Sequence, residues 1–500
     1  MGPCGGEIAA MRPNPPSSDA DAGEDRLSAL PDDILVLILL RLGTSAAGQT
    51  SVLSRRWRVV WALLPELIFP HAREPNRIRD ALEAHQAALR RLSVEIQSAS
   101  PDSVAAWLLV AARRLAGRLK FRNLVPQGND AVEDEDTDEV EVKEDEEGCE
   151  QRGSFELPCF ESATAVSLDL GFLGLSVPAA GVCSRLTKLS LSRARFDGPC
   201  ELGDAISSPR CPFLTKLSVR DSEGLTILTI NSRSLLRVNL RGLRGLRRLA
   251  IEAPVLARLT VSHSFFFGHD QPVASISAPQ LEWLLWLDSY EPSSMHLDKM
   301  ERIERLAPFL FFVYGGQRSI SNNQSCLRLL QHFKVIETLI LSLIYLEGLD
   351  NCSYLMDDMT VLPGITNLHL RVIANGHAFG ASTFHVLRMC SGIRLLNLKL
   401  EMEAQTACSF GCICGQHAHW KTEELVLYCL QEVEITGLMG SECEISFVKQ
   451  LLNWATVLKK LTVIFEHSVA ENEAKEFCQM LRSFSRLEIC TEFHGCKGTS

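Results

Sequence analysis

Residues 214–261 read LTKLSVRDSEGLTILTINSRSLLRVNLRGLRGLRRLAIEAPVLARLTV, and one apolar phrase runs through them five times. The phrase is L-x-x-L-x-L, with Val or Ile allowed at the later places. Its copies are Leu214, Leu217 and Val219; Leu225, Leu228 and Ile230; Leu235, Val238 and Leu240; Leu246, Leu249 and Ile251; Leu256, Leu259 and Val261. Their last positions lie 10 or 11 residues apart. Two phrases make a period of about 21 residues, which reads as a thin solenoid with alternate strands on its two faces.

Outward from this stretch the phrase recurs at Leu186, Leu189 and Leu191, at Ile365, Leu368 and Leu370, at Ile393, Leu396 and Leu398, and at Leu458, Leu461 and Val463. The period is that of leucine-rich repeats. One repeat cannot bury its leucines alone, so the array is expected to be one cooperative body. Upstream, 89–96, 101–114 and 118–121 read as strand, helix and strand, the start of the same architecture. Residues 71–127 and 154–400 are thus assigned to the solenoid. The fold class is α+β: a small helical module followed by an irregular leucine-rich solenoid of α/β type.

The helical module occupies 26–70. Pro31 with Asp32 and Asp33 is a helix start, since proline suits the first turn and carboxylates suit the positive end of the dipole. Ile34, Leu35, Ile38, Leu39 and Leu42 follow at helical spacing, and Gly43 stops the run. A second helical stretch is expected from Thr50, with Val52, Leu53, Trp57, Val60 and Trp61 in one stripe. So small a unit, apolar on more than one side, cannot bury itself. It is either a cap on the larger domain or a docking module that finishes its core on a partner. Residues 1–25, rich in Pro, Ser, Ala, Gly and Asp, read as disordered.

Two blocks, Leu30–Pro31–Asp32–Asp33–Ile34–Leu35 and Ser51–Val52–Leu53–Ser54–Arg55–Arg56–Trp57–Arg58, with Trp61 behind, resemble the plant F-box. Between them Gly43, Ser45, Ala46 and Gly48 depart from the family pattern. The resemblance implies a surface docking on the Skp-type adaptor of a cullin-RING ubiquitin ligase, carried by Leu30, Pro31, Ile34, Leu35, Ile38, Val52, Leu53, Trp57 and Trp61. Residues 420–465 resemble a second plant signature, the FBD region, within a terminal repeat and cap spanning 401–500. The local reading agrees: a strand at 430–435, a turn at Gly437 and Gly440, and a helix from Glu444 to Trp454 with Phe447, Val448, Leu451 and Leu452 inward. A further strand is expected through Leu458, Leu461 and Val463. Together the resemblances imply a non-catalytic substrate-recognition subunit of an SCF-type ligase, with adaptor, cullin and a target protein as partners. The alternative is a leucine-rich scaffold without ligase assembly.

Charge divides the chain unevenly. Residues 130–150 carry 13 acids and one lysine, and the net charge of the whole chain is −11, so the remainder is almost neutral. The segment 128–153 reads as an acidic flexible loop. Arg233, Arg237, Arg241, Arg244, Arg247 and Arg248 fall in a stretch without acids, and 185–248 carries 13 Lys/Arg against five Asp/Glu. These arginines are either a solvated face or a surface for an acidic or phosphorylated target. The acidic loop could occupy that surface as an internal competitor. Aromatic platforms are not interleaved there, so nucleic acid is not expected. Phe265, Phe266, Phe267, Trp283 and Trp286 read as core.

Seventeen scattered cysteines and no basic-then-apolar leader point to free thiols in a reducing compartment, the cytoplasm and/or nucleus. The longest aliphatic run, Ile34 to Leu40, is far short of a membrane span. Cys408, Cys412, Cys414, His417 and His419 offer metal-ligand types, but their spacing matches no common zinc pattern, and no metal or cofactor is expected. No phosphate loop, dinucleotide fingerprint or paired-carboxylate pattern suggests an enzyme.

Overall fold

The computed structural model describes residues 29–125 and 153–495, apart from 179, 198–201, 266–270, 299, 350–351, 361, 402–407, 409–411 and 485–488. The expected disorder of 1–25, the acidic loop at 128–153, and Phe266 and Phe267 therefore lie outside or almost wholly outside the described residues.

Three helices open the fold: α1 (Asp32–Leu42), α2 (Thr44–Thr50) and α3 (Arg55–Ala62). Pro31 stands at the cap of α1 with two acids in the first turn, and Gly43, at φ 74°, ends it. The expected single helix from Thr50 is instead broken. Residues 51–54 form a turn, and Ser54 caps α3 by accepting the Trp57 N–H at 3.3 Å. Serine's preference for capping over helix interiors explains the break. Leu35, Leu39, Ala47, Val60 and Leu64 are buried and continue without a gap into Leu67, Ile78 and Leu82 of the solenoid. The Thr44 hydroxyl accepts the Ile68 N–H at 2.6 Å. The module thus finishes much of its core on the solenoid itself.

Behind it the chain builds one 18-stranded sheet whose strand pairings are all parallel among the described residues. Its first strands, Glu66–Ala72, Leu89–Gln97 and Leu115–Leu124, are joined by helices α4 (Pro75–Ala84) and α5 (Pro101–Arg114). Ala165–Ser176, Lys188–Phe196, Lys216–Glu223, Arg237–Arg244, Arg258–Ser262 and Trp283–Leu287 follow in order. In this middle part the second layer is not helical. Ile227–Asn231, Arg248–Glu252, Val273–Ser277 and Met295–Leu297 form a separate four-stranded parallel sheet. Roughly a dozen residues is the least a parallel crossover needs, and links of that length here hold a short strand instead of a helix. Alternate phrases therefore do lie on opposite faces, with Leu217, Leu228, Leu240, Leu249 and Leu259 all buried between them.

Longer crossovers return in the last third. With α6 the short turn at Leu202–Ala205, the second layer becomes α7 (Gln317–His332), α8 (Gly380–Met389), α9 (Glu442–Trp454) and α10 (Glu471–Phe484). They cover the strands from Val335–Ile344 to Cys490–Gly495. The expected strand–turn–helix–strand of the terminal repeat is present. A capping box between Ser441 and Glu444 starts α9, and Phe447, Val448, Leu451 and Leu452 point inward.

One detail differs: Gly437 is not in the turn but within the strand Glu432–Leu438, where the register slips between Thr436 and Leu438. Its φ is +85°, and a Cβ there would stand 2.1 Å from the Leu400 carbonyl oxygen. Both the left-handed backbone and the close approach demand glycine. Gly437→Ala is expected to lower stability by about 3 kcal/mol or more, read as a fall in the urea midpoint. An unchanged midpoint would remove the argument.

Candidate interaction surfaces

The first surface belongs to α1–α3. Ile34 and Leu37 stand exposed on α1, and Val52 and Leu53 in the turn before α3 are 80% and 69% exposed. Val59 and Leu63 add to the same apolar set. Of the expected docking residues, Pro31, Ile34, Val52 and Leu53 are open, while Leu30, Ile38, Trp57 and Trp61 are half-buried. Leu35 is a correction. At 1% exposure it faces inward, into the core that the three helices share with the solenoid. Leu37 was missed, although α1 is apolar all round and its spacing from Ile34 already placed both on one face.

Internal ties hold this surface. Arg56 ion-pairs with Asp32 at 2.8 Å and also donates to the Leu30 carbonyl, so the start of α1 is fastened to α3. Trp61 packs edge-on against His85 at 5.7 Å, and a His85 ring nitrogen lies 2.6 Å from the Leu64 carbonyl. Burial holds the His85 pKa below its ordinary value, opposed by that hydrogen bond. Trp61 is thus a strut between module and solenoid.

The second surface is the outer face of the large sheet. The six arginines singled out from the sequence do not share it, and Arg247 lies in the link between the two sheets, just before Arg248. Arg237, Arg241 and Arg244 lie on one strand of the large sheet, Arg248 lies on the opposite four-stranded sheet, and Arg233 lies in the turn between. Alternation of faces separates what the sequence runs together. In exchange, registration builds a row that the sequence reading missed. Lys188 pairs with Lys216, Lys216 with Arg237, Arg237 with Arg258, Arg258 with Trp283, and Trp283 with Arg305. On the other side, Arg91 pairs with Arg118, and Ala165 separates Arg118 from Lys188. All these cations are exposed. Arg258 and Arg305 flank the Trp283 ring, at 5.0 and 5.7 Å from its centroid. The signal was the basic residue directly before the second apolar position of alternate phrases.

Further along the same face lies a groove of about 430 Å³, lined among others by Arg305, Asn367, His369, Asn397, Glu434 and Lys460. Asn397 donates to Glu434 at 3.0 Å. Burial, with Arg305 nearby, holds the His369 pKa below its usual value, partly offset by Glu434.

The cysteine-rich loop behaves differently from its sequence reading. His417 stacks on Tyr354 with centroids 4.1 Å apart, and His419 lies 3.6 Å from Glu423. Neither joins the cysteines in a common group. The structure instead brings His377, Cys408, Cys412 and Cys414 together, with one nitrogen and three sulfurs all within 4.8 Å of one another. No helix among the described residues is long and apolar enough to cross a membrane.

Comparison with known proteins matches both regions. The F-box domain profile covers residues 27–68. The profile described as FBD-associated F-box protein At5g56370, LRR repeats, covers 138–300. An Arabidopsis thaliana chain named as an F-box/FBD/LRR-repeat protein, At4g03220, is 26% identical over 88% of this chain and 89% of its own length. The F-box/LRR-repeat protein At3g59210 of the same plant is 24% identical over 90% of each. With At3g49480, also named as F-box/FBD/LRR-repeat, identity rises to 59% over a segment of 44 residues, 9% of this chain and 10% of that one. This chain therefore carries the two domains of an FBD-associated F-box/LRR-repeat protein, the F-box first and the leucine-rich repeats behind it.

Proposed function

We propose that this protein is the substrate-recognition subunit of an SCF-type cullin-RING ubiquitin ligase. The observation that carries the reading is the open apolar face of α1–α3, on the segment matching the F-box, in helices whose opposite side is already packed on the solenoid. Burying such a face on a Skp-type adaptor would remove apolar side chains from water at roughly 25 cal/mol per Å². The solenoid then holds the target near the ligase's ubiquitin-loaded partner, so the chain contributes effective concentration and no chemistry. Its many free thiols suit the cytoplasm and/or nucleus. Co-expression with a Skp-type adaptor and a cullin, followed by purification on a tag carried by this chain, tests the assignment. Recovery of all three supports it. Recovery of the chain alone leaves a leucine-rich scaffold.

The target class follows from the basic row. Cations one strand apart are about 4.8 Å from their neighbours, inside the screening length of about 8 Å at physiological salt. Like charges this close repel one another, and an anion laid across the row would relieve that, as Glu66 already does for Arg91 at its end, 3.8 Å away. An acidic or phosphorylated segment of the target fits that role. Lys216→Glu with Arg237→Glu is expected to weaken binding of a polyglutamate peptide roughly tenfold at low salt, measured by fluorescence anisotropy. The difference should vanish at high salt, and equal affinity at low salt would refute the assignment.

A further inference from the structure

We propose that His377, Cys408, Cys412 and Cys414 form a structural zinc site. The Cys408 and Cys414 sulfurs are 3.6 Å apart, and the Cys412 sulfur is 3.4 Å from the His377 Nδ1. A tetrahedral zinc with bonds of about 2.3 Å to sulfur sets its ligand atoms about 3.8 Å apart, somewhat less for an edge to nitrogen. These two spacings are close to two opposite edges of such a tetrahedron, and the other four are no longer than 4.8 Å. All four atoms within 4.8 Å leave room for one ion and not for an iron–sulfur cluster. Three thiolates and one imidazole suit zinc above the harder cations.

The histidine is held as a ligand would be. Its Nε2 lies 3.1 Å from the Leu346 carbonyl oxygen and 3.3 Å from that of Glu347. Two acceptors require the proton on Nε2, which leaves the lone pair on Nδ1, toward the sulfurs. The ring is also fixed by stacking on Tyr345, with centroids 5.9 Å apart. Asn375 and Gly376, both at positive φ, make the tight turn that presents it, and the Cys408 N–H donates to the Gly376 carbonyl at 3.2 Å.

The site also meets a structural need. Most other long crossovers in this part of the solenoid contain an α-helix that fills the second layer. The connection from Leu395–Glu401 to Glu432–Leu438 contains, among its described residues, only the short 3-10 turns Ile413–Gly415 and Ala418–Lys421. A metal would fasten this loop to the neighbouring repeat where a helix core is missing. The inference replaces the expectation of a metal-free loop, which rested on spacing within 408–419 and could not include a residue as distant as His377.

The test uses the full chain purified without chelator. Elemental analysis is expected to give one zinc per chain, with zinc lost in Cys412→Ser and in His377→Ala but kept in His417→Gln and His419→Gln. In case a ligand variant fails to fold, the wild-type chain is stripped and titrated with Co²⁺. Expected is the visible absorption of tetrahedral thiolate cobalt, together with three thiols protected from a thiol reagent. Zinc far below one per chain with no such cobalt spectrum would overturn the proposal. So would a Cys408–Cys414 disulfide in the reduced-buffer preparation, or loss of zinc in His417→Gln.

Discussion

Val52→Asp with Leu53→Asp should abolish capture of the Skp-type adaptor while leaving the thermal unfolding of the chain unchanged. The two side chains are 80% and 69% exposed, in a turn, so the fold gives up little when they become charged. On a docked surface the same change would bury two carboxylates without partners. Loss of even one anchor from a desolvated interface costs about 2 kcal/mol or more, and unpaired buried charge adds to that. A fall in affinity of at least a hundredfold is the expected result by pull-down and calorimetry. Leu35→Ala is the informative contrast: it should lower stability by about 2–5 kcal/mol through an inward cavity and affect docking only through folding. Unchanged capture by the double aspartate variant would sink the placement of the docking face.

Trp454→Ala should be among the most damaging core changes. The indole is buried, with ring centroids 5.1 Å from Phe384, 6.2 Å from Phe447 and 6.3 Å from Trp420. These rings come from α8, α9 and the turn at Ala418–Lys421, so one side chain joins three segments of the terminal region. A buried Trp→Ala change typically costs about 3–5 kcal/mol. The Trp420 ring is packed so closely against Gly380 that a Cβ there would come within 2.3 Å of it, so little can move to refill the space. Tyr428→Ala, at a 70% exposed position, should change stability by less than about 0.5 kcal/mol. Urea midpoints of the two variants compare them directly, and similar midpoints would contradict the packing argument.

The strands of the solenoid were legible because each phrase carries its own periodicity, and the two-faced arrangement followed from the 10- or 11-residue spacing. Helix α9 was legible for the same reason: its inward residues recur at helical spacing. What the sequence hid was pairing over distance. Arg237 and Arg248 are near in the chain yet on opposite sheets, whereas Lys188 and Arg258 share a row through registration alone. His377 meets the cysteines across some thirty residues through a loop closure that no local pattern encodes. In the F-box region the error was of another kind. A continuous apolar stripe was drawn through Ser51 and Ser54, although serine competes for backbone hydrogen bonds and ends helices.

The alternation of phrases between two sheets imposes a parity rule on this part of the gene. Deleting a single phrase from 214–261 would send every later phrase of that stretch to the wrong side, with its leucines still inward but its neighbours exchanged. With the phrase at 225–230 removed, the cations now at Arg237 and Arg258 would trade places with Arg248 and Val273, and the continuous outer row would be cut. Deleting two phrases removes one complete turn and lets the remaining strands close up in their old company. Length variation among descendants of this chain should therefore come here in steps of about 21 residues, never in steps of half that size.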